Sequence, residues 1–395
     1  MIIYLLIIIQ KDMKIGIDAR PLSAGKFTGI PFYEYMILKE WMKSHPEHEY
    51  YLFSLKPICW GKEELPENWH IVDKPGLVKN EKLRGPWWFA FTVPRLIKKL
   101  KLNIYWGPNF SMPRKVRGVS YYVTIHDLGI YHFEHIGQRR NEIQIKLFLP
   151  RNIKNARKVL TVSEFTKKDV VQTFSTPGEK IETIYNGGIV EKITGEEETS
   201  SIRNEIKELE DFFLFIGTIE PRKNVPTIIK GYEIYMDKYI GNCMDDGKCP
   251  KLVLAGGKGW NCEEIYQMIE QSKYRQHIIM TGYISGSEKE YLLNNATCFI
   301  YPSLYEGFGI PVLEAFAVNT PVITANNSSL PEVGGEAALY IDTYDSEGLA
   351  EKINEVINMK DEDRESLSTR MRAQLCMFSW VECAEETLAV ILGDN

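Results

Sequence analysis

The feature that most constrains this chain is an alternation. Nine apolar runs of strand length recur along it: KIGID (14–18), NIYWG (103–107), SYYVTIHD (120–127), KVLTVS (158–163), FFLFIGT (212–218), KLVLAGG (251–257), HIIMTGY (277–283), CFIYPS (298–303) and PVITAN (321–326). Each is bounded by Gly, Pro, Asp or Ser. Helix-like stretches such as PTIIKGYEIYMDKY (226–239) and SEKEYLLNNA (287–296) lie between them. Strands alternating with helices build parallel sheets covered on both faces, so the predicted class is α/β. A chain of 395 residues has room for two such units. The polar, glycine-containing segment NGGIVEKITGEEETSSI (186–202) is the expected seam, giving domains over about 13–190 and 208–375. The tail, 376–395, carries apolar residues at helical spacing in SWVECAEETLAVIL (379–392) and is predicted to pack as a last helix. Residues 1–12 stay unassigned. Their apolar run, Ile2 to Ile9, is far short of the ~20 residues that span a bilayer. It also lacks the basic flank and small-residue cleavage site of a signal peptide.

Charge narrows the partners. The net charge of −6 argues against general nucleic-acid binding. Residues 1–190 nevertheless carry 29 basic and 18 acidic side chains, a balance of +11, and the remainder balances at −17. PRLIKKLKLN (94–103) and PRKVRG (113–118) contribute to the basic half. They read either as solvated helix faces or as attraction to an anionic membrane surface or phosphate-bearing acceptor. Seven scattered cysteines predict no disulfide framework and a reducing compartment. Cys243 and Cys249 have no Cys-x-x-Cys or His pair near them to complete a zinc site.

In open parallel sheets, ligands bind at the C-terminal ends of the strands. Four segments stand there. GTIEPRKN (217–224) offers Gly217 for a backbone turn, Arg222 and Lys223 as adjacent cations at the sheet edge, and Asn224 as a helix cap. A planar fork beside a point charge suits a diphosphate, although the pair alone also fits an ordinary surface. EGFGIPVLEAFAV (306–318) places Gly307 and Gly309 around Phe308, with Pro311 expected at the first position of a helix. That helix start is an anion site. Glu306 lies in the loop before it and Glu314 about one turn inside, too far apart to share a face. TIHDLG (124–129) puts His126 at a strand end, either structural or donating a hydrogen bond to a sugar or phosphate. TGIPFYEY (28–35) supplies Gly29 in a turn before a helix, where backbone amides could approach phosphate. The G-x-G-x-x-G, P-loop and G-x-S-x-G patterns are absent. No Asp-x-Asp stands between strand and loop to hold a divalent metal on a diphosphate.

Taken together these motifs resemble the retaining glycosyltransferases of family 4, whose architecture is GT-B: two Rossmann-like domains facing a cleft, with a C-terminal helix crossing back to the first. EGFGIPVLEA is similar to that family's signature of two glutamates. GTIEPRKN resembles its phosphate-binding loop. TIHD, VSEFTKKDV (162–170), IYNG (184–187), AGGKGW (255–260), TGYIS (281–285) and the FSW…AEETL ending (378–388) follow its landmarks in order. The resemblance covers about residues 13–392. TGIPFYEY departs from it, with Ile30 and Pro31 where many members have a second glycine or a basic residue.

The resemblance implies a role for each residue. Glu314 would bind the nucleotide ribose. Glu306 and the amides of Phe308, Gly309 and Ile310 would hold the donor sugar, and Arg222 and Lys223 would neutralise the diphosphate beside Gly217. The backbone at Tyr283 and Ile284 would hold the base, His126 would contact sugar or phosphate, and Gly29 would approach the phosphates. It implies transfer of a hexose from a nucleotide-diphosphate sugar, mannose on GDP above others, to a glycan or lipid-linked acceptor in surface polysaccharide synthesis. No metal or other cofactor is expected. The expected location is cytoplasmic, at the inner face of the cell membrane if the basic half meets anionic lipid. The competing readings are a nucleotide-sugar epimerase of the same fold, a phosphorylase (for which no pyridoxal lysine stands out) and a non-catalytic nucleotide-sugar binder.

Overall fold

The computed structural model describes residues 12–23, 29–74, 85–134, 139–188, 202–241 and 249–393. The first seven strands are β1 (Lys14–Ile17), β2 (Glu49–Phe53), β3 (Trp69–Val72), β4 (Ile104–Gly107), β5 (Ser120–Ile125), β6 (Lys158–Thr161) and β7 (Ile181–Thr183). The next six are β8 (Phe212–Ile216), β9 (Lys251–Ala255), β10 (Ile278–Gly282), β11 (Cys298–Tyr301), β12 (Val322–Ala325) and β13 (Leu339–Ile341). They form two wholly parallel sheets, ordered β3-β2-β1-β4-β5-β6-β7 and β10-β9-β8-β11-β12-β13. In both, the order reverses beside the first strand of the sheet. The two switch points, β1/β4 and β8/β11, are where a ligand crevice opens in such folds.

All nine runs read from the sequence form strands. The four strands not foreseen are β2, β3, β7 and β13. Three of these are sheet edges of only three or four residues. An edge strand buries less and so carries a weaker apolar pattern. The predicted helix at 226–239 forms over Val225–Tyr235 and continues as a π-turn, Met236–Ile240. The one at 287–296 forms over Gly286–Asn295, closed by a capping box between Ser285 and Glu288.

The last helix, Trp380–Gly393, packs not on the second sheet but on helix Ile30–Ser44 beside the first. Trp41 Nε1 donates to the Ala384 carbonyl at 2.8 Å, His45 Nε2 lies 2.9 Å from Glu385, and Trp380 meets Phe32 edge-on. The expected crossing is therefore present. The expected seam at 186–202 lies mostly outside the described residues, as do residues 1–11. No described helix is long and apolar enough to cross a membrane.

The cysteine reading needs one correction. Cys59, Cys262, Cys298, Cys376 and Cys383 are free, but Cys249 is disulfide-bonded. Cysteine count and spacing do not reveal the spatial separation that decides whether a bridge closes. Cys243 lies outside the described residues. Among the described residues no group of three or more His, Cys, Asp or Glu could hold a metal ion.

Candidate active site

The loops after β8 and β11 flank the second switch point and interlock. After β8, Gly217 extends the sheet by donating to the Ala255 carbonyl. The chain then tightens into a short 3-10 turn, Pro221–Lys223, and Asn224 takes a left-handed φ of 56° to start helix Val225–Tyr235. Asn224 holds the cap position, but its side-chain oxygen accepts from the Thr227 hydroxyl and its amide donates to the Pro302 carbonyl.

Arg222 and Lys223 do not stand open at the sheet edge. Lys223 Nζ donates to Glu306 Oε1 at 2.6 Å and to the Tyr301 hydroxyl at 2.6 Å. Arg222 Nη1 donates to Glu306 Oε2 at 3.1 Å and to the Tyr305 carbonyl at 2.9 Å, while Nη2 pairs with Glu220 at 2.9 Å. The reason is desolvation. Lys223 and Glu306 are both buried, and buried charges persist only when paired and hydrogen-bonded. Burial alone would raise the Glu306 pKa, but Lys223 and then Arg222 outweigh it and pull the carboxyl down to about 2. The sequence reading separated these groups because Lys223 and Glu306 stand 83 positions apart. It also passed over Glu220 and Tyr301, which complete the cluster.

Helix Ile310–Ala317 begins where expected, but Ile310 rather than Pro311 takes its first position, with Gly309 before it at φ 126°. Phe308 is buried against Phe378 and Tyr185. Glu314, inside helix Ile310–Ala317, takes no part in the Glu306 cluster and pairs with Lys289 Nζ at 2.6 Å. Lys289 is a cation the sequence reading missed. Tyr283 is more than half exposed, and its carbonyl accepts from Arg203 Nη2 at 3.2 Å. Ile284 is half-buried beside it.

His126 sits at the C-terminal end of β5, as expected. Its Nε2 lies 2.7 Å from the Pro108 carbonyl, which can only accept, so Nε2 carries the hydrogen. Burial pushes its pKa below the ordinary histidine value. The neutral ring then offers Nδ1 as an acceptor. The donation to a ligand foreseen from sequence is thus corrected, because the one N–H already serves Pro108. Tyr33 packs edge-on against the ring at 4.7 Å, which links His126 to the helix that begins after Gly29.

Loops of the two sheets meet at this point. Tyr305 reaches across, donating its hydroxyl to Asp169 at 2.5 Å and accepting from the Leu128 amide at 2.9 Å. Ser163 and Thr166 hydroxyls both donate to the Gly307 carbonyl, at 2.7 and 3.1 Å. A Cβ at Gly307 would overlap the His126 carbonyl oxygen, so only glycine allows this approach.

Two parallel α/β domains with a helix crossing back, and loops of the two domains joined by hydrogen bonds, make the GT-B architecture. WaaG, a glycosyltransferase involved in lipopolysaccharide biosynthesis, superposes with a TM-score of 0.66 at 16% identity, covering 96% of this chain and 99% of that one. Residues 196–374 match the family model described as glycosyl transferases group 1, and residues 40–191 match glycosyltransferase family 4. The O-antigen chain mannosyltransferase B of Escherichia coli is 30% identical over 67% of this chain and 68% of its own length. The O-antigen chain mannosyltransferase RfbU of Salmonella typhimurium is 28% identical over 60% of this chain and 61% of its own. The chain belongs to glycosyltransferase family 4.

Proposed function

We propose that this glycosyltransferase moves a hexose, mannose from GDP-mannose, onto a glycan or lipid-linked acceptor with retention of anomeric configuration, in surface polysaccharide synthesis. The observation that carries the reading is the buried cluster of Arg222, Lys223 and Glu306 at the second switch point. The names of the mannosyltransferase relatives support the choice of sugar.

The cluster is near neutral without ligand, since Glu220 and Glu306 balance the two cations. A diphosphate entering beside Gly217 and the helix start at Ile310 competes for Arg222 and Lys223 and loosens their hold on Glu306. Glu306 then accepts from sugar hydroxyls, and His126 Nδ1 can accept another. Glu314 and Lys289 take the ribose end, and the backbone at Tyr283 and Ile284 takes the base. As the bond from the anomeric carbon to the phosphate oxygen breaks, charge grows on the leaving diphosphate. Each well-placed donor is worth roughly 10²–10³-fold there. The acceptor hydroxyl attacks the same face, its proton passes to the departing phosphate oxygen, and the products are the glycoside and the nucleoside diphosphate. The two side-chain cations and the helix start supply the positive charge, so no metal or cofactor is invoked.

A peripheral contact with anionic membrane at the inner face of the cell membrane extends the reading. Helix Arg139–Asn155 leaves Ile143, Leu147 and Phe148 exposed in the basic half of the chain, as does Trp87 before helix Val93–Leu100.

Thermal shift with GDP, UDP and ADP, followed by turnover of GDP-mannose with and without a polysaccharide acceptor, tests the proposal. Stabilisation by GDP and acceptor-dependent release of GDP are expected. An epimer or free sugar formed equally well without acceptor would overturn transfer. A shift with UDP alone would overturn the choice of donor.

A further inference from the structure

We infer that Glu332 is a positioning residue that ties contact between the two domains to the shape of the Glu306–Phe308 loop. Glu332 lies in the short helix Leu330–Gly334 that follows β12, on the second sheet. Its carboxylate reaches the other domain and accepts from two backbone amides at the start of helix Glu164–Phe174: Glu164 N at 2.8 Å and Phe165 N at 2.6 Å. The first amides of a helix have no partner within the helix, and a carboxylate at that end also meets the positive end of the dipole. The helix's own cap, Ser163, takes only the Thr166 amide and turns its hydroxyl to the Gly307 carbonyl. The cap is therefore shared between domains. Tyr185 donates to the same carboxylate at 3.2 Å, fixing its direction.

The segment that carries Glu332 also holds the site loop. Ser328 Oγ accepts from the Glu306 amide at 3.1 Å. Ser329 Oγ lies 2.9 Å from the Glu306 carbonyl and 2.5 Å from the Phe308 carbonyl. Leu330 and Val333 stand against Gly309. The short segment 328–333 thus holds both the loop, through Ser328, Ser329, Leu330 and Val333, and the facing helix, through Glu332. Domain contact and loop geometry are set by one rigid piece, so the loop is held in shape while the domains are together.

Hydrogen exchange with single-residue resolution tests the first half of this without any ligand. The Glu164 and Phe165 amides should be protected in the native protein and exchange faster in Glu332→Ala. Turnover of GDP-mannose tests the second half, and that arm alone rests on the function proposed above. A misplacement of the loop by about 1 Å is worth about 10²-fold in rate. Glu332→Ala should therefore lose about 10²-fold in kcat with little change in KM for the donor, and release more free mannose per transfer. Glu332→Gln keeps one acceptor oxygen and should fall between, and it serves if the alanine variant does not fold. Ser329→Ala combined with Glu332→Gln should lose less than the product of the single losses. Unchanged exchange at both amides would overturn the shared cap. Strictly multiplicative losses, or a donor KM that rises with kcat intact, would overturn the coupling. Native protein that does not turn over GDP-mannose would instead count against the donor, leaving the exchange result to decide the shared cap.

Discussion

The two sheets follow one plan, yet their switch points handle buried charge in opposite ways. Beside β8 and β11 every charge has an opposite at hand, and Glu306 is driven down to about 2. Beside β1 and β4, Asp18 takes both arms of Arg20, with Nε at 2.7 Å and Nη2 at 2.6 Å. Glu34, on the adjoining helix, is wholly buried, with no hydrogen-bond partner for either carboxyl oxygen among the described residues. Burial, then the neighbouring Asp18, push its pKa well above the usual carboxylate range. Topology sets where a crevice can lie. Whether the acid placed there is a charge or a neutral hydroxyl depends on how many cations reach it.

The strongest way to break this contrast is to unbalance the paired side. Lys223→Ala leaves buried Glu306 with only Arg222 and Tyr301, and breaking one side of a buried pair costs about 3–5 kcal/mol. Transfer should fall below measurement, and urea unfolding should report the stability loss. A variant with native midpoint and turnover would mean that Tyr301 and Arg222 suffice without Lys223.

Acid titration sharpens the contrast by sign. Glu306 has a folded value of about 2 against an ordinary 4.5, so its contribution is complete above pH 4.5 and is lost as pH falls toward 2. Linkage makes that about 3 kcal/mol. Glu34 runs the other way: it costs nothing while both states are protonated, and it subtracts stability as pH rises above 4.5. Urea midpoints across pH 2–8 should therefore show a flattened acid limb for Glu306→Gln. Glu34→Gln should show a gain at pH 7 that shrinks toward zero below 4.5. Parallel curves for the two variants would erase the distinction.

A smaller effect should follow where the two regions touch. Tyr305→Phe deletes the hydroxyl shared by Asp169 and the Leu128 amide, leaving a buried donor without its acceptor. The cost is about 1–3 kcal/mol, read as a lower Tm. No change in Tm would show that this contact forms without stabilising the protein.

Much of this was legible in the chain itself. Strand-length runs ending in glycine, proline or a polar residue located both sheets, and the residues just past them marked loops that meet between the domains. The positions of Glu306, Arg222 and Lys223 were legible because each follows a strand. Their mutual pairing was not, because it joins loops more than 80 residues apart. The capping work of Glu332 and the serines at 328 and 329 was equally hidden. In SSLPE those residues look like an ordinary helix start, and only the facing helix Glu164–Phe174 gives the glutamate its partners. His126 was placed correctly and its hydrogen bond misjudged, since no pattern in TIHD names the Pro108 carbonyl opposite.

The crossing of helix Trp380–Gly393 to the first domain has a consequence for how the chain is made. Residues 30–44 emerge early from the ribosome and bury Trp41 against a surface synthesised some 340 positions later. Until that surface arrives, the aromatic face of Phe32, Tyr33 and Trp41 has no cover from it. The first domain therefore matures last in one respect, and a nascent chain halted before Trp380 would expose an adhesive patch on its oldest part.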